Sequence, residues 1–344
     1  MAADARARHC GYTAEARRAR PSVARMKPVL SVVVPMHNEA ANVQAFYDRV
    51  SVVLETLGDP WEIVCVDDGS RDATLAALAG LHQRDPRVKV IGLSRNFGKE
   101  AALTAGLDHA GGEAVIPIDA DLQDPPELIP ALVAKWREGF EVVNATRRSR
   151  QGETWLKKAS ANAFYRALGR LTTIDIPRDT GDFRLLSRPA IDALKRLPER
   201  NRFMKGLFAW VGFKQAAIEY DREPRHAGRT NWNYWRLWNF ALDGITSFSS
   251  WPLRIWTYLG VGIAIAAFVY AGVLVVRTIV HGVDVPGYAS LMVVLLFVSG
   301  VQLIGMGVLG EYLARVFDEV KRRPLYLVGR TWGLPAPGPT PPEP

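Results

Sequence analysis

Two uninterrupted apolar runs near the C-terminal end constrain this chain more than any other feature. Residues 256–276 and 288–310, 21 and 23 in number, contain no Asp, Glu, Lys or Arg. A helix rises about 1.5 Å per residue and a bilayer's hydrocarbon core is about 30 Å thick, so each run is long enough to cross it. The connector, 277–287, is short, and the two runs are therefore read as a helical hairpin with both ends on one side. A hairpin buried in a soluble core is the alternative, and the length of the uncharged runs argues against it. Arg315, Lys321, Arg322, Arg323 and Arg330 follow the second run, whereas the connector holds Arg277 alone. The positive-inside bias then predicts a multi-pass protein of the inner cell membrane, with the large N-terminal domain and both termini cytoplasmic.

The formal net charge of +8 suits nucleic acid, a membrane surface or an anionic substrate. Position decides among them. Six of the ten tryptophans fall between Trp210 and Trp256, beside the apolar runs. That pattern predicts a membrane interface and argues against nucleic-acid binding, which would interleave aromatics with the basic loop. Trp232, Trp235, Trp238, Leu242 and Ile245 recur at helical spacing, so 231–255 is read as interfacial amphipathic helices, an ordinary core helix being the alternative. Residues 1–27 are rich in Ala and Arg without an apolar stretch of signal-peptide length. They read as a disordered arm, with Met26 an alternative start. Residues 311–344 read as a basic cytoplasmic tail whose proline-rich end is unstructured. Cys10 and Cys65 suggest no disulfide framework, and Cys65 reads as core.

Between 28 and 230 the pattern is strand then helix, repeated. Apolar runs at 29–34, 61–66, 88–93, 113–118 and 140–146 alternate with helical segments at 39–57, 72–81, 100–109 and 125–138. This predicts a mostly parallel α/β sheet with ligands at the strands' carboxyl ends. Polar residues gather there: Pro35 to Glu39, Asp67 to Ser70, and Asp119 to Gln123. No G-x-G-x-x-G follows the first strand and no Walker A loop is present, so a nucleotide would be held by carboxylates and metal. Asp119 and Asp121 bracket Ala120, and Gln123 adds a neutral oxygen. Oxygen ligands of this kind suit Mg²⁺ or Mn²⁺ bridging to phosphates, a solvated acidic turn being the alternative for an isolated pair. Arg147, Arg148 and Arg150, then Lys157 and Lys158, form either an anion pocket facing the metal or a solvated face. Asp182 is an acid near the reaction centre, a cap, or a partner of Arg184.

The ordered series SVVVPMHNE, VDDGSRDAT, RNFGKEAALTAG, IDADLQDPPE, DTGDFRLLSR and RHAGRTNW, followed by DGITSFSS, resembles the polyprenyl-phosphate glycosyltransferases among the family 2 glycosyltransferases. The resemblance runs over about residues 28–330. It implies a glycosyltransferase A-type fold, Rossmann-like, with interfacial helices and a two-helix transmembrane hairpin. It also implies a divalent metal, a nucleotide-diphosphate sugar donor that is usually UDP-linked, a polyprenyl phosphate acceptor such as undecaprenyl phosphate, and a homo-oligomer. Carried over by position, Pro35 and Glu39 would border the nucleoside, and Asp67 or Asp68 would bond the base. Asp119, Asp121 and Gln123 would hold ribose, metal and diphosphate. Arg225 would meet the donor diphosphate, and Arg147, Lys157 and Ser160 the acceptor phosphate. Thr230 and Asn231 stand where the family has serine and lysine, which removes a cation from that loop.

A phosphate monoester is already largely ionised at neutral pH, its second pKa being near 6, so such an acceptor needs charge neutralisation more than a general base. Asp121 and Arg147 would then carry the chemistry by stabilising charge, in-line with inversion, and Asp182 would orient or deprotonate. Two rivals remain in view. A processive polysaccharide synthase would show a QxxRW motif and further spans, and RNRFMKGLFAWVG has neither that spacing nor such spans after it. A non-catalytic scaffold that binds nucleotide sugars would have no need of a metal site.

Overall fold

The computed structural model describes residues 27–148, 180–197, 199–200, 202, 204–221, 251–282 and 287–334. The N-terminal arm and most of the tryptophan-rich segment fall outside the described residues. From the first strand to the third helix the chain runs β1 (Leu30–Met36), α1 (Ala40–Leu57), β2 (Trp61–Asp67), α2 (Thr74–Arg84), β3 (Val88–Leu93) and α3 (Lys99–His109). It continues through β4 (Ala114–Pro117), α4 (Ile129–Arg137), β5 (Val142–Arg147), β6 (Thr180–Ser187), α5 (Arg188–Lys195), α6 (Met204–Trp210) and β7 (Gln215–Tyr220). Two long helices, α7 (Trp251–His281) and α8 (Tyr288–Val320), precede β8 (Val328–Trp332).

One eight-stranded sheet has the order β7-β5-β6-β4-β1-β2-β3-β8. β1 lies parallel to β2 and β4, β2 to β3, and β5 to β7. Both faces are covered, which is why the strands read as continuous apolar runs. The pleat sends Val32, Val34 and Met36 of β1 into one core with Phe46, Val50, Leu54 and Leu78. Val33 goes to the other face, against Leu103, Leu107 and Ile191. Cys65 is a buried part of the first core, and burial pushes its thiol up to about 12, leaving it inert.

Helix α3 approaches the sheet closely because Gly106 has no side chain. A Cβ there would stand 2.2 Å from Val33 Cγ1 and 3.2 Å from Val66 Cγ2. Gly106→Ala should therefore destabilise the protein by about 2 kcal/mol, the usual scale of overpacking. A lowered thermal midpoint of the full chain in detergent checks this, and an unchanged midpoint contradicts the packing.

Two strands interrupt the parallel pattern. One is β6, eight residues long, almost wholly buried, and inserted antiparallel between β4 and β5. The other is β8, inside the stretch expected only as a basic tail, which pairs antiparallel with β3. It brings the chain back to the sheet after α8, and the return is pinned. Tyr326 donates to Asp108 Oδ2 at 2.8 Å, and the Arg200 amide donates to Glu319 Oε1 at 2.7 Å.

Helices α7 and α8 are longer than the apolar runs they contain. Among the described residues one stretch, Val293–Val320, is long and apolar enough to cross a membrane. Ile255–Tyr270 is a shorter apolar stretch in α7, so the expected pair of spans rests here on one full-length segment and one short one. The Trp256 ring lies where a Cβ on Gly305 would be 3.3 Å from it, so the two helices touch there. Phe268, Tyr270, Phe297 and Leu303 point outwards with no protein over them.

Candidate active site

Pairing along the sheet brings the acidic residues together. β1 and β2 run in register to Met36↔Asp67, and β1 flanks β4 through Val33↔Pro117. The carboxyl ends of β4, β1 and β2 thus lie side by side and deliver Asp119, Pro35 and Asp67 to one edge. β6 runs the other way, with Val115↔Leu186, and its early residue Asp182 comes close to Asp119 beyond the end of β4. Between them sits a lysine. Lys99 Nζ is 2.7 and 2.9 Å from the two oxygens of Asp119 and 2.6 Å from Asp182 Oδ2. Desolvation disfavours its charge, but the two carboxylates outweigh that and hold the ammonium above the usual lysine range.

Asp67 and Asp68 differ in what their oxygens do. Asp68 accepts from the Phe97 amide at 2.7 Å and the Gly98 amide at 2.9 Å, so both oxygens are spent in holding the loop after β3. Asp67 accepts from the Ser70 amide at 3.2 Å through Oδ2, whereas its buried Oδ1 has no hydrogen-bond partner. Burial raises the Asp67 carboxyl above the ordinary carboxylate range. An oxygen in that state suits a ligand N–H. Gly69 between these loops has φ +62°, and a Cβ there would sit 2.4 Å from the Arg95 carbonyl carbon, so no other residue fits the turn. On the facing loop the Glu39 amide donates to Thr74 Oγ1 at 2.9 Å, and the Glu39 carboxylate accepts from Asn42 at 2.5 Å.

Arg147 ends β5 directly beside Tyr220 of β7. Its Nε donates to Tyr220 Oη at 3.3 Å, and its guanidinium lies 3.8 Å from Asp124 Oδ1. Tyr220 in turn donates to Asp124, which is 2% exposed. Burial works against the Arg147 charge, but Tyr220 and Asp124 hold the guanidinium firmly charged. Asp121 is 9% exposed and accepts from the Gln123 amide at 3.2 Å.

The description "Glycosyl transferase family 2" matches residues 31–195, and "GtrB C-terminal hairpin" matches residues 251–316. An uncharacterized glycosyltransferase of Synechocystis is 61% identical over 89% of this chain and 96% of its own length. This chain belongs to the family 2 glycosyltransferases. The SfII prophage-derived bactoprenol glucosyl transferase of Shigella flexneri is 48% identical to this glycosyltransferase, covering 88% of it and 98% of the relative. A mannosyltransferase of Pyrobaculum calidifontis, solved with GDP-Man and Mn²⁺, shares 16% identity at a TM-score of 0.43, over 86% of this chain and 88% of its own.

Three residues given roles by sequence, Lys157, Ser160 and Arg225, lie outside the described residues, as do Thr230 and Asn231. The others lie at or just beyond the ends of β4, β1, β2 and β5 and at the start of β6. The residues that sequence reasoning left without a role are Lys99, Asp124 and Tyr220. Lys99 and Asp124 stand inside the quoted motifs RNFGKEAALTAG and IDADLQDPPE, so their positions were in view, but only the fold shows which groups they face. Tyr220 belongs to no motif, and nothing in the sequence pointed to it.

By donor type, the carboxylates of Asp119 and Asp121 and the amide oxygen of Gln123 are ligands that a hard cation takes. The Lys99 ammonium already stands as a positive charge on Asp119. Among the described residues no three His, Cys, Asp or Glu side chains form a metal group.

Proposed function

We propose that this glycosyltransferase moves a sugar from a nucleotide-diphosphate sugar, UDP-linked, to a polyprenyl phosphate at the cytoplasmic membrane face, with a divalent metal and inversion at the anomeric carbon. The observation that carries this reading is the continuity of the chain between two environments. An edge rich in carboxylates, suited to a metal and a diphosphate, is joined through β8 and Glu319 to a helix whose apolar side chains face outwards. Exposed apolar surface on that scale belongs in lipid, and a lipid-borne acceptor would meet the sheet edge where the helix leaves the bilayer. Relatives bearing the name bactoprenol glucosyl transferase support the same acceptor class.

Within this reading Asp67 Oδ1 takes the N–H of the nucleoside base, and Asp68 keeps the loop after β3 in place. Pro35 and Glu39 border the nucleoside. Asp119, Asp121 and Gln123 hold Mg²⁺ or Mn²⁺. The ion supplies positive charge to the leaving diphosphate. Arg147, kept extended by Tyr220 and Asp124, neutralises the acceptor phosphate, and Lys157 and Ser160 assist. Arg225 meets the donor diphosphate. The phosphate attacks as an anion and Asp182 orients it. The predicted setting is a multi-pass, homo-oligomeric protein of the inner membrane.

The test is the acceptor itself. Full-length protein in detergent should glycosylate undecaprenyl phosphate once per molecule and leave unphosphorylated undecaprenol unmodified. Equal use of the alcohol, or products carrying many sugars, would overturn the phosphate acceptor, the latter in favour of a processive synthase. Binding of UDP-sugar with no transfer to any acceptor would favour a scaffold.

A further inference from the structure

We propose that Lys99 is the resident cation of the donor site: it bridges Asp119 and Asp182 and offsets part of their charge while no divalent ion is bound, and it must give up Asp119 before such an ion can bind there. The inference rests on the reading of Asp119 as a metal ligand and goes beyond it by assigning the competitor.

The geometry points to it from three directions. First, Asp119, just beyond the end of β4, and Asp182 in β6 lie close enough for one ammonium to contact both carboxylates. Like charges in that position repel, so the sheet edge is costly without a counter-charge. Second, the counter-charge present is a lysine that engages both oxygens of Asp119, at 2.7 and 2.9 Å, and Asp182 at 2.6 Å. A carboxylate so engaged has lost much of its attraction for a second cation. Third, the base of the lysine is fixed while its stem has room to move. Lys99 begins α3 directly after Gly98, whose amide is held by Asp68, yet the Lys99 side chain is 46% exposed. Its four-carbon stem lets the ammonium leave Asp119 while keeping Asp182.

The consequence is an order of binding. A divalent ion arriving alone must compete with an ammonium that already engages both oxygens of Asp119. Arriving with a nucleoside diphosphate, it brings negative charge and oxygen ligands, and the displaced ammonium gains an anion to face. Metal and nucleotide therefore bind together, each raising the other's affinity, as linkage requires.

The experiment is a Mn²⁺ titration of the full-length chain in detergent, followed by electron paramagnetic resonance, with and without UDP. Wild-type protein should bind Mn²⁺ weakly alone and more tightly with UDP. Lys99→Met should bind Mn²⁺ alone about tenfold more tightly than wild type, the scale of a single coupling between sites. Lys99→Arg, which keeps the charge, should stay near wild type, and the advantage of Lys99→Met should shrink when UDP is present. Lys99→Gln serves as the second neutral variant, with the same gain expected, should Lys99→Met fold poorly. If wild type binds Mn²⁺ with UDP while neither neutral variant binds Mn²⁺ alone more tightly, Lys99 is not the competitor and the metal reading stands. If no variant binds Mn²⁺ even with UDP, the metal reading fails and this inference with it.

Discussion

Asp121→Asn should reduce sugar transfer by about 10³-fold or more, while the protein still folds and inserts in the membrane. The scale is that of losing preorganised charge stabilisation at a reacting centre. The substitution is chosen because it separates charge from structure. Asp121 is buried and accepts a hydrogen bond from the Gln123 amide at 3.2 Å, which an asparagine Oδ1 can accept equally well. The local turn should therefore survive, and with it the thermal midpoint. What is lost is the negative charge that attracts a divalent ion, and an amide oxygen is a much weaker ligand. A radiolabelled-sugar assay with both enzymes at matched concentration reads the effect. Near-normal transfer by the asparagine variant would remove Asp121 from the metal site.

The second large effect is expected at Arg147. Its removal should raise the KM for the lipid phosphate by about 10²-fold, as for the loss of one desolvated charge-assisted contact, and leave the KM for the nucleotide sugar within a few-fold. The guanidinium is held by Tyr220 of β7 and by Asp124 in the loop after β4. Tyr220 accepts from its Nε at 3.3 Å, and Asp124 lies at 3.8 Å while itself accepting from Tyr220. Arg147→Lys should recover only part of the loss, because an ammonium cannot engage a phosphate in two places while bonded to Tyr220. The split between the two KM values is the diagnostic. If both rise together, Arg147 supports the fold of the site as a whole. If neither changes, the acceptor phosphate is bound elsewhere.

The parallel half of the sheet was legible because its causes are local. Residues such as Val32 to Val34 and Ile63 to Val66 form short runs that are apolar on both faces, and that pattern has few other uses. The polar clusters at their ends were legible for the same reason. What was not legible depends on pairing between distant segments. The partner of β6 cannot be read from its own residues, and only its antiparallel insertion beside β4 brings Asp182 near Asp119 and makes Lys99 a shared partner. β8 carries the exposed residues Gly329 and Arg330 and so lacks the apolar signature of a central strand, in keeping with its place at the sheet edge. Tyr220 acquires a role only because β7 runs parallel to β5 with Tyr220 beside Arg147. The distinction between Asp67 and Asp68 was likewise invisible in the sequence. Asp67 is the last residue of β2 and Asp68 follows it, and only the loop after β3, which uses both oxygens of Asp68, leaves Asp67 with an oxygen to offer.

The most direct single measurement is transfer of labelled sugar from a panel of UDP-sugars to undecaprenyl phosphate by the full-length protein, run with EDTA and again after Mn²⁺ or Mg²⁺ is restored. Lipid-linked product should form with at least one donor, disappear in EDTA and return with either ion. Product formed undiminished in EDTA would contradict a metal-held diphosphate at Asp119 and Asp121.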